Sequence, residues 1–409
     1  MRRHPGRIPW IFSLLRPQGH VPVAVGALLA AALLAGCGAV AAAPHAARLP
    51  SAAAPSLATS EASAAETWAV VVMGGASAAH NNFWQLFTRS ANAARWTLAT
   101  PPGVADNGGL TVADVGPGSL VTVIRPSQDL TFSPLSASRD EGAHWSQGGL
   151  LPAGLANFPD AFAGAPGGRL IALTSRGGAQ VAAHAGATWT SLASERSVAA
   201  SPAGRACGLA RLTAAAFSSA GVPLLAGQCT RPGMVGIFAS GGGTWRATGP
   251  ALPPSLARRD VEVLGLASAD GATAALLQAG SGAAASLVTA WSADGGGHWR
   301  TSAAFGLRGR AVRSAAFGLG GAIGVTLTGG AGAVAVTGPG AAWRSLPPLP
   351  AGAAGVPAAA VTLAAGPGTG FEALIAHGGQ LSVWQLTGGG TGWEQVQVIK
   401  VAIPYGSSG

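Results

Sequence analysis

Ser138-Arg139-Asp140-Glu141-Gly142-Ala143-His144-Trp145 and Ser292-Ala293-Asp294-Gly295-Gly296-Gly297-His298-Trp299 share one pattern, S-x-D-x-G-x-x-W. Asp side chains bind the N–H groups of a turn they belong to. Glycine supplies positive φ without steric cost. Tryptophan brings a large apolar face to pack on the strands the turn connects. The pattern therefore predicts a tight turn between two β-strands. His144 and His298 fall at the same place in both copies, which suits a turn residue better than a ligand.

Five more tryptophans stand in worn copies of the same context. They are Trp96 after Ser90-Ala91-Asn92, Trp189 after His184-Ala185-Gly186, Trp245 after Ser240-Gly241-Gly242, Trp343 after Thr337, and Trp393 after Thr387. Successive tryptophans of the seven are 44 to 56 residues apart. A repeat of this length marks a solenoid or propeller, and seven units of about fifty residues fill 66–409. Within each unit the text reads as short β-runs with tight turns, four to a unit. The second unit has Thr111–Val115, Ser119–Ile124, Leu130–Leu135 and Trp145–Leu150; the third and fifth read alike. The first unit lacks an innermost strand before Thr67–Met73, whereas the chain end carries a surplus after Trp393. This predicts that the tail Val401–Tyr405 pairs with the first unit.

The boxes resemble the Asp box (BNR repeat) of sialidase-like β-propellers. The resemblance covers 66–409 and implies an all-β, seven-bladed β-propeller of four-stranded antiparallel blades, its ring closed by the C-terminal strand. It also implies a structural role for Ser138, Asp140, Gly142, Trp145, Ser292, Asp294, Gly296 and Trp299. The sialidase constellation itself is not recognisable. The one tyrosine is Tyr405, and the one Arg-Ile-Pro tripeptide is Arg7-Ile8-Pro9, at the N-terminus. Other chemistries are equally faint: no His/Cys/Asp cluster has metal-ligand spacing, and no cofactor is implied.

The N-terminus reads as an export signal. Arg2, Arg3, Arg7 and Arg16 precede an apolar run from Val21 to Gly36, and the first acid is Glu61. A basic segment, an apolar segment and small residues before a cut form a secretory signal. Leu34-Ala35-Gly36-Cys37 is similar to the lipobox of bacterial lipoprotein signals. That resemblance implies cleavage after residue 36, a diacylglycerol on the Cys37 sulfur and anchorage to the outer face of a membrane. The apolar run is also long enough to span a membrane uncleaved, and either way the remainder lies outside the cytoplasm. Residues 37–65, rich in Ala, Pro and Ser, read as a tether. Cys207 and Cys229, read as lying on adjacent strands of one unit, are then left as an even pair in an exported chain, a disulfide candidate; two free buried thiols are the alternative.

Charge narrows the partners. Charged residues make up 10% of the chain and the net charge is +9. Without the four N-terminal arginines it is +5, and the rest are scattered, which argues against nucleic acid. In a propeller, loops opposite the Asp boxes usually meet ligands. His80, Asn81, Asn82, Arg125, Asp129, Arg176, Arg231 and His377 are the candidate ligand face, with Asp160, Arg258, Arg259, Asp260, Arg308 and Arg310 between units. Amides and imidazole beside Phe83 and Trp84 suit a sugar or peptide, or simply cap a turn. The expectation is a lipid-anchored binding or scaffold module for a protein, peptide or cell-surface glycan. Two alternatives stay open: a divergent glycan-active hydrolase or lyase, and an assembly factor for a membrane complex.

Overall fold

Short apolar runs broken by Gly-rich turns bury backbone polar groups only by pairing with neighbouring strands, and the chain does this almost throughout. The computed structural model describes residues 57–402, apart from 75–81, 103–108, 126–131, 147–154, 156, 176, 329–331, 351–360, 369, 378 and 389. Cys37, the signal segment, His80, Asn81, Asp129, Arg176 and Tyr405 lie outside the described residues.

The strands form successive antiparallel runs. The first is β1 (Ala58–Ala62), β2 (Glu66–Gly74), β3 (Asn82–Ser90) and β4 (Thr97–Leu98). The second is β5 (Leu110–Gly116), β6 (Ser119–Ile124) and β7 (Leu135–Ser138). Next come β8 (Pro159–Gly164), β9 (Leu170–Thr174), β10 (Gly178–Ala182) and β11 (Thr190–Ser194). Two short helices follow, α1 (Glu195–Ala200) and α2 (Pro202–Cys207). The fourth run is β12 (Leu209–Phe217), β13 (Pro223–Cys229), β14 (Gly236–Gly241) and β15 (Thr244–Ala247). The fifth is β16 (Val261–Ala269), β17 (Ala272–Ala279) and β18 (Ser286–Ser292), with β19 (Arg300–Thr301) and β20 (Phe305–Gly306) both on β18. The sixth is β21 (Val312–Phe317), β22 (Ile323–Leu327), β23 (Ala333–Val336) and β24 (Arg344–Ser345). The last is β25 (Val361–Ala365), β26 (Phe371–His377), β27 (Gln380–Leu386) and β28 (Trp393–Lys400).

Packing is face to face between successive runs. Strands such as β9 (LIALT) and β22 (IGVTL) are buried at every residue, as the near-continuous apolar run of a doubly covered strand requires. Outer strands such as β15 and β28 are largely exposed. One apolar cluster joins Trp68 and Val70 of β2 to Leu110 and Val112 of β5. Similar clusters join each run to the next. A further cluster joins Ala69, Val71 and Met73 of β2 to Leu374 of β26 and Leu381 and Val383 of β27, the first run to the last.

Box tryptophans latch these interfaces. The Trp145 indole N–H donates to Ala99 O at 2.9 Å, and that of Trp299 donates to Thr248 O. Trp343 donates to Ser302 Oγ (3.1 Å) and Trp393 to Pro347 O (3.1 Å). In each case the acceptor lies just after the preceding box tryptophan. Trp96 has no preceding unit, and its indole donates instead to Glu372 Oε2 of β26 at 2.8 Å.

Three expectations are corrected here. First, the inner position beside β2 is taken by β1, not by the C-terminal tail. Residues 58–62, read as tether, pair antiparallel with β2 and parallel with β21. Among the described residues, β28 pairs with β27 alone. The ends meet through side chains: Arg89 bridges to Glu372 at 2.5 Å, and the Gln397 amide bonds both Trp96 N (2.9 Å) and Trp96 O (2.8 Å). Second, the third strand of the second run is Leu135–Ser138 rather than Leu130–Leu135, because Ser138 must both end the strand and open the box. Third, Cys207 ends α2 rather than lying in a strand. A sulfur–sulfur bond joins it to Cys229 at the end of β13, with Cα atoms 5.2 Å apart.

Candidate functional site

The two boxes are built alike. Ser138 Oγ accepts from Gly142 N (2.9 Å) and donates to Asp140 Oδ1 (2.8 Å), which also accepts from His144 N (2.8 Å). Ser292, Gly296, Asp294 and His298 repeat this set with the same distances. Gly142 has φ +86°, and a Cβ there would stand 2.6 Å from Ala99 Cβ, so the residue is bound to glycine by both angle and space. The His144 N–H, the His144 ring and Ser138 together hold the Asp140 carboxyl down to about 2; Asp294 is lowered by the equivalent groups. Carboxylates so fully engaged by their own turn are structural supports.

Of the residues expected opposite the boxes, Asn82, Arg125, Arg231 and His377 are described, and they stand at the ends of four different strands. Asn82 is the first residue of β3. Arg125 follows β6, its N–H on Gly109 O at 2.8 Å. Arg231 is exposed just beyond β13, and His377 is the exposed end of β26. No described hydrogen bond or ion pair joins Arg231 to His377. Arg231 belongs instead to a loop cluster beside the disulfide, where its N–H donates to Cys207 O (3.1 Å) and Gly233 N donates to Arg259 O (2.8 Å).

Another set of side chains converges at the axis. β1, β5, β8, β12 and β16 are the inner strands of five runs, and together they line a cavity of about 90 Å³ bearing Glu61, Asp160 and Thr213. Where these strands turn, a wider cavity of about 310 Å³ opens, lined by Ser63, Asp114, Pro117, Phe217 and Asp270. In an antiparallel run the first turn and the third turn fall at the same end. Glu141 N of the first box donates to Gly118 O of the β5–β6 turn at 2.9 Å. The cavity mouth is thus on the Asp-box end, opposite the expected ligand face.

These carboxylates have no countercharge. Among the described residues the ion pairs are Arg89–Glu372, Arg211–Glu262, and each box Asp with its His. None reaches Glu61, Glu66, Asp114, Asp160 or Asp270. Asp114 Oδ1 accepts from Gly116 N (2.8 Å), and Asp270 Oδ1 accepts from Ala64 N (3.1 Å) across the mouth. Asp270 and Gly271 form the two-residue turn between β16 and β17, with φ +51° and +79°, the usual Asp-Gly hairpin geometry. Glu66, 1% exposed, has no partner for either carboxylate oxygen. It lies on the face of β2 that bears Trp68 and Val70, turned toward the run containing Asp114.

Burial without pairing favours the neutral acid. Burial, and then the nearby Asp114, push Glu61 up to about 8. Burial, Asp114 and Glu141 do the same to Glu66. Burial also raises Asp114 and Asp160. The folded state therefore holds protons that the unfolded chain releases near its ordinary value of 4.5. Stability from these groups is complete below that value and falls as pH rises toward 8. Urea midpoints should drop between pH 5 and pH 9, and Glu66→Gln should flatten the profile. A midpoint that rises over that range contradicts this account.

Sequence reasoning missed this group. Glu61 was assigned to the tether, and Glu66, Asp114 and Asp270 carry no motif. A faint signal existed: Asp114 interrupts the apolar run Leu110-Thr-Val-Ala-Asp-Val115, where an acid needs a reason. Among the described residues, no three His, Cys, Asp or Glu side chains converge as a metal site.

No protein-family model matches the sequence, and no curated protein matches it. Solved structures do resemble it in fold. A suspected 6-phosphogluconolactonase from Bacteroides uniformis aligns at TM-score 0.50 and 14% identity, over 83% of this chain and 98% of that one. YCF48 bound to D1 peptide aligns at 0.42 and 13%, over 79% and 89%. SapL1 lectin with alpha methyl fucoside aligns at 0.38 and 14%, over 73% and 97%. These are β-propeller proteins, and the all-β, antiparallel fold of this chain is of that class. A shared fold at such identity carries no activity with it.

Proposed function

We propose that the chain is a lipid-anchored, extracytoplasmic propeller of seven blades that binds a ligand and catalyses no reaction. The lipobox at Cys37 supports the anchor. The cyclic order of apolar clusters, with the first run packed on the last, supports a closed ring of seven. The carrying observation is the axial cavity, whose carboxylates lack countercharge while its walls are largely apolar. Small-molecule and peptide sites have this make-up, apolar lining with few convergent polar groups. The ligand is a protein segment, a peptide or a cell-surface glycan.

The full-length chain in mild detergent, applied to peptide and glycan arrays with released sugar assayed in parallel, tests this reading. Binding without product is the expected result. Turnover of any glycoside overturns it and favours a second reading, a glycan-active enzyme. One observation favours that alternative: Glu61, held protonated at neutral pH, shares a cavity with Asp160, and glycoside cleavage uses two carboxyl groups of unequal acidity.

A further inference from the structure

We propose that the end of the fold at which the inner strands begin is a membrane-docking face, whose arginines engage anionic lipid headgroups and so turn the Asp-box mouth away from the bilayer. The inference goes beyond the binding reading above and rests on the anchor that reading includes.

Strand direction comes first. β1, β5, β8, β12 and β16 all deliver their C-terminal ends to the mouth, which Ser63, Gly116, Ala165, Ser218 and Ala269 line. Their first residues therefore stand at the far end, and β21, parallel to β1, begins there too. Leu57 O accepts from Ala315 N of β21 (2.7 Å), so the chain enters the fold at this far end. Cys37 precedes Leu57 by 20 residues. A tether of that length holds the far end near the anchoring surface, at high effective concentration.

Arginines gather at the same end. Arg231 N donates to Cys207 O (3.1 Å) and Gly233 N to Arg259 O (2.8 Å). The Arg259 guanidinium donates to Ala284 O, Leu307 N donates to Ala285 O (2.8 Å), and Arg310 Nε donates to Leu307 O (3.2 Å). These contacts run without a break from α2 to the approach of β21. They bear Arg205, Arg231, Arg258, Arg259, Arg308 and Arg310, and among the described residues no ion pair includes any of these. The acids of the same loops are Asp260 and Glu262, and Glu262 is taken by Arg211 (2.6 Å). Arg205, Arg231, Arg258 and Arg308 are exposed, and the disulfide ties the loops of the first two. Pro232 is exposed beside them, and so is Met234, at 37%.

Charge and position together select the partner. Arginine forks match phosphate oxygens, and an anionic leaflet attracts a basic patch held against it. Asp114, Asp140, Asp270 and Asp294 lie at the opposite, box end, which such a leaflet repels. An acidic protein fits the same charge, but the entry of the tether at this end favours the bilayer. The lipid supplies adhesion, and the arginines set which face meets the membrane.

Peroxide footprinting of the full-length chain in vesicles tests this. Met234 reports on the arginine face, and Met73, 1% exposed, reports on unfolding. In phosphatidylcholine with about one-third phosphatidylglycerol, Met234 should oxidise about tenfold more slowly than in phosphatidylcholine alone, given the attraction of each arginine to an anionic surface. Sodium chloride at about 0.5 M should abolish the difference by screening. Arg231→Gln with Arg258→Gln should lose most of the protection at an unchanged thermal midpoint, and Arg308→Gln alone should lose part of it. Arg139→Gln, at the box end, should change nothing. Flotation separates this inference from the anchor. Flotation with both vesicles, with Met234 protected only by phosphatidylglycerol, is the expected result. Flotation with both and equal oxidation leaves the anchor standing and overturns the docking face. Flotation with phosphatidylglycerol vesicles alone, Met234 protected, supports the docking face without the anchor, and flotation with neither overturns both. Protection by soluble polyglutamate but not by vesicles overturns the inference in favour of an acidic protein.

Discussion

Arg89→Ala should cost about 3–5 kcal/mol, the usual loss when one partner of a buried ion pair is removed. Arg89 and Glu372 are 5% and 1% exposed, so neither charge has water to fall back on. The guanidinium also donates to Ala365 O (3.0 Å) and lies 4.9 Å from the centre of the Trp96 ring. Glu372 collects Trp96 and Gln385 as further donors. Removing the arginine leaves Glu372 charged, buried and short of its strongest partner. The pair spans the junction of first and last runs, where no strand crosses. Urea unfolding of the variant should show the loss, and limited proteolysis should cut first at this junction. The double variant Arg89→Met with Glu372→Leu should recover most of the stability, since an apolar pair needs no desolvation. A loss below about 1 kcal/mol in the single variant, the range of exposed pairs, would sink the latch.

Replacing both Cys207 and Cys229 by Ser should cost about 3 kcal/mol, from the chain entropy returned to an unfolded loop of this length. The bond closes a separation of 22 residues. It ties the helical insertion α1–α2 to β13, and both half-cystines are buried, at 1% and 0%. α1 and α2 are 6 residues each, too short to stand alone, and besides the disulfide they are held by Val198, buried in the core, and by Glu195, which accepts from Leu212 N (3.0 Å). Ser194 and Ser201 cap them, accepting from Ser197 N (3.1 Å) and Gly204 N (3.0 Å). The double variant should therefore show a lower urea midpoint and early hydrogen exchange in 195–208, with the rest of the ring little changed. Reduction of the unmodified chain should reproduce the shift. An unaltered midpoint in both would show that the bond adds no stability.

The strand plan was legible because each element rests on local chemistry. β6 begins and ends where Ser119–Ile124 was read. The box turns were legible for the same reason, since Ser, Asp, Gly and Trp within eight positions make most of their bonds to one another. β1 was not legible. Ala-Thr-Ser-Glu-Ala has neither β-branched density nor apolar alternation, and it becomes a strand only because β2 and β21 offer their edges.

The amino-acid sequence by itself determined the repeat, the tight turns and the all-β class, since these depend on spacing, glycine angles and periodic apolar residues close along the chain. Only the tertiary structure decided how the ends meet and where acids gather. Arg89 finds Glu372 across 283 positions, and Asp270 finds Ala64 across 206. Contacts so distant leave no spacing to read, and a carboxylate shows its lack of a partner only when every neighbour is in place.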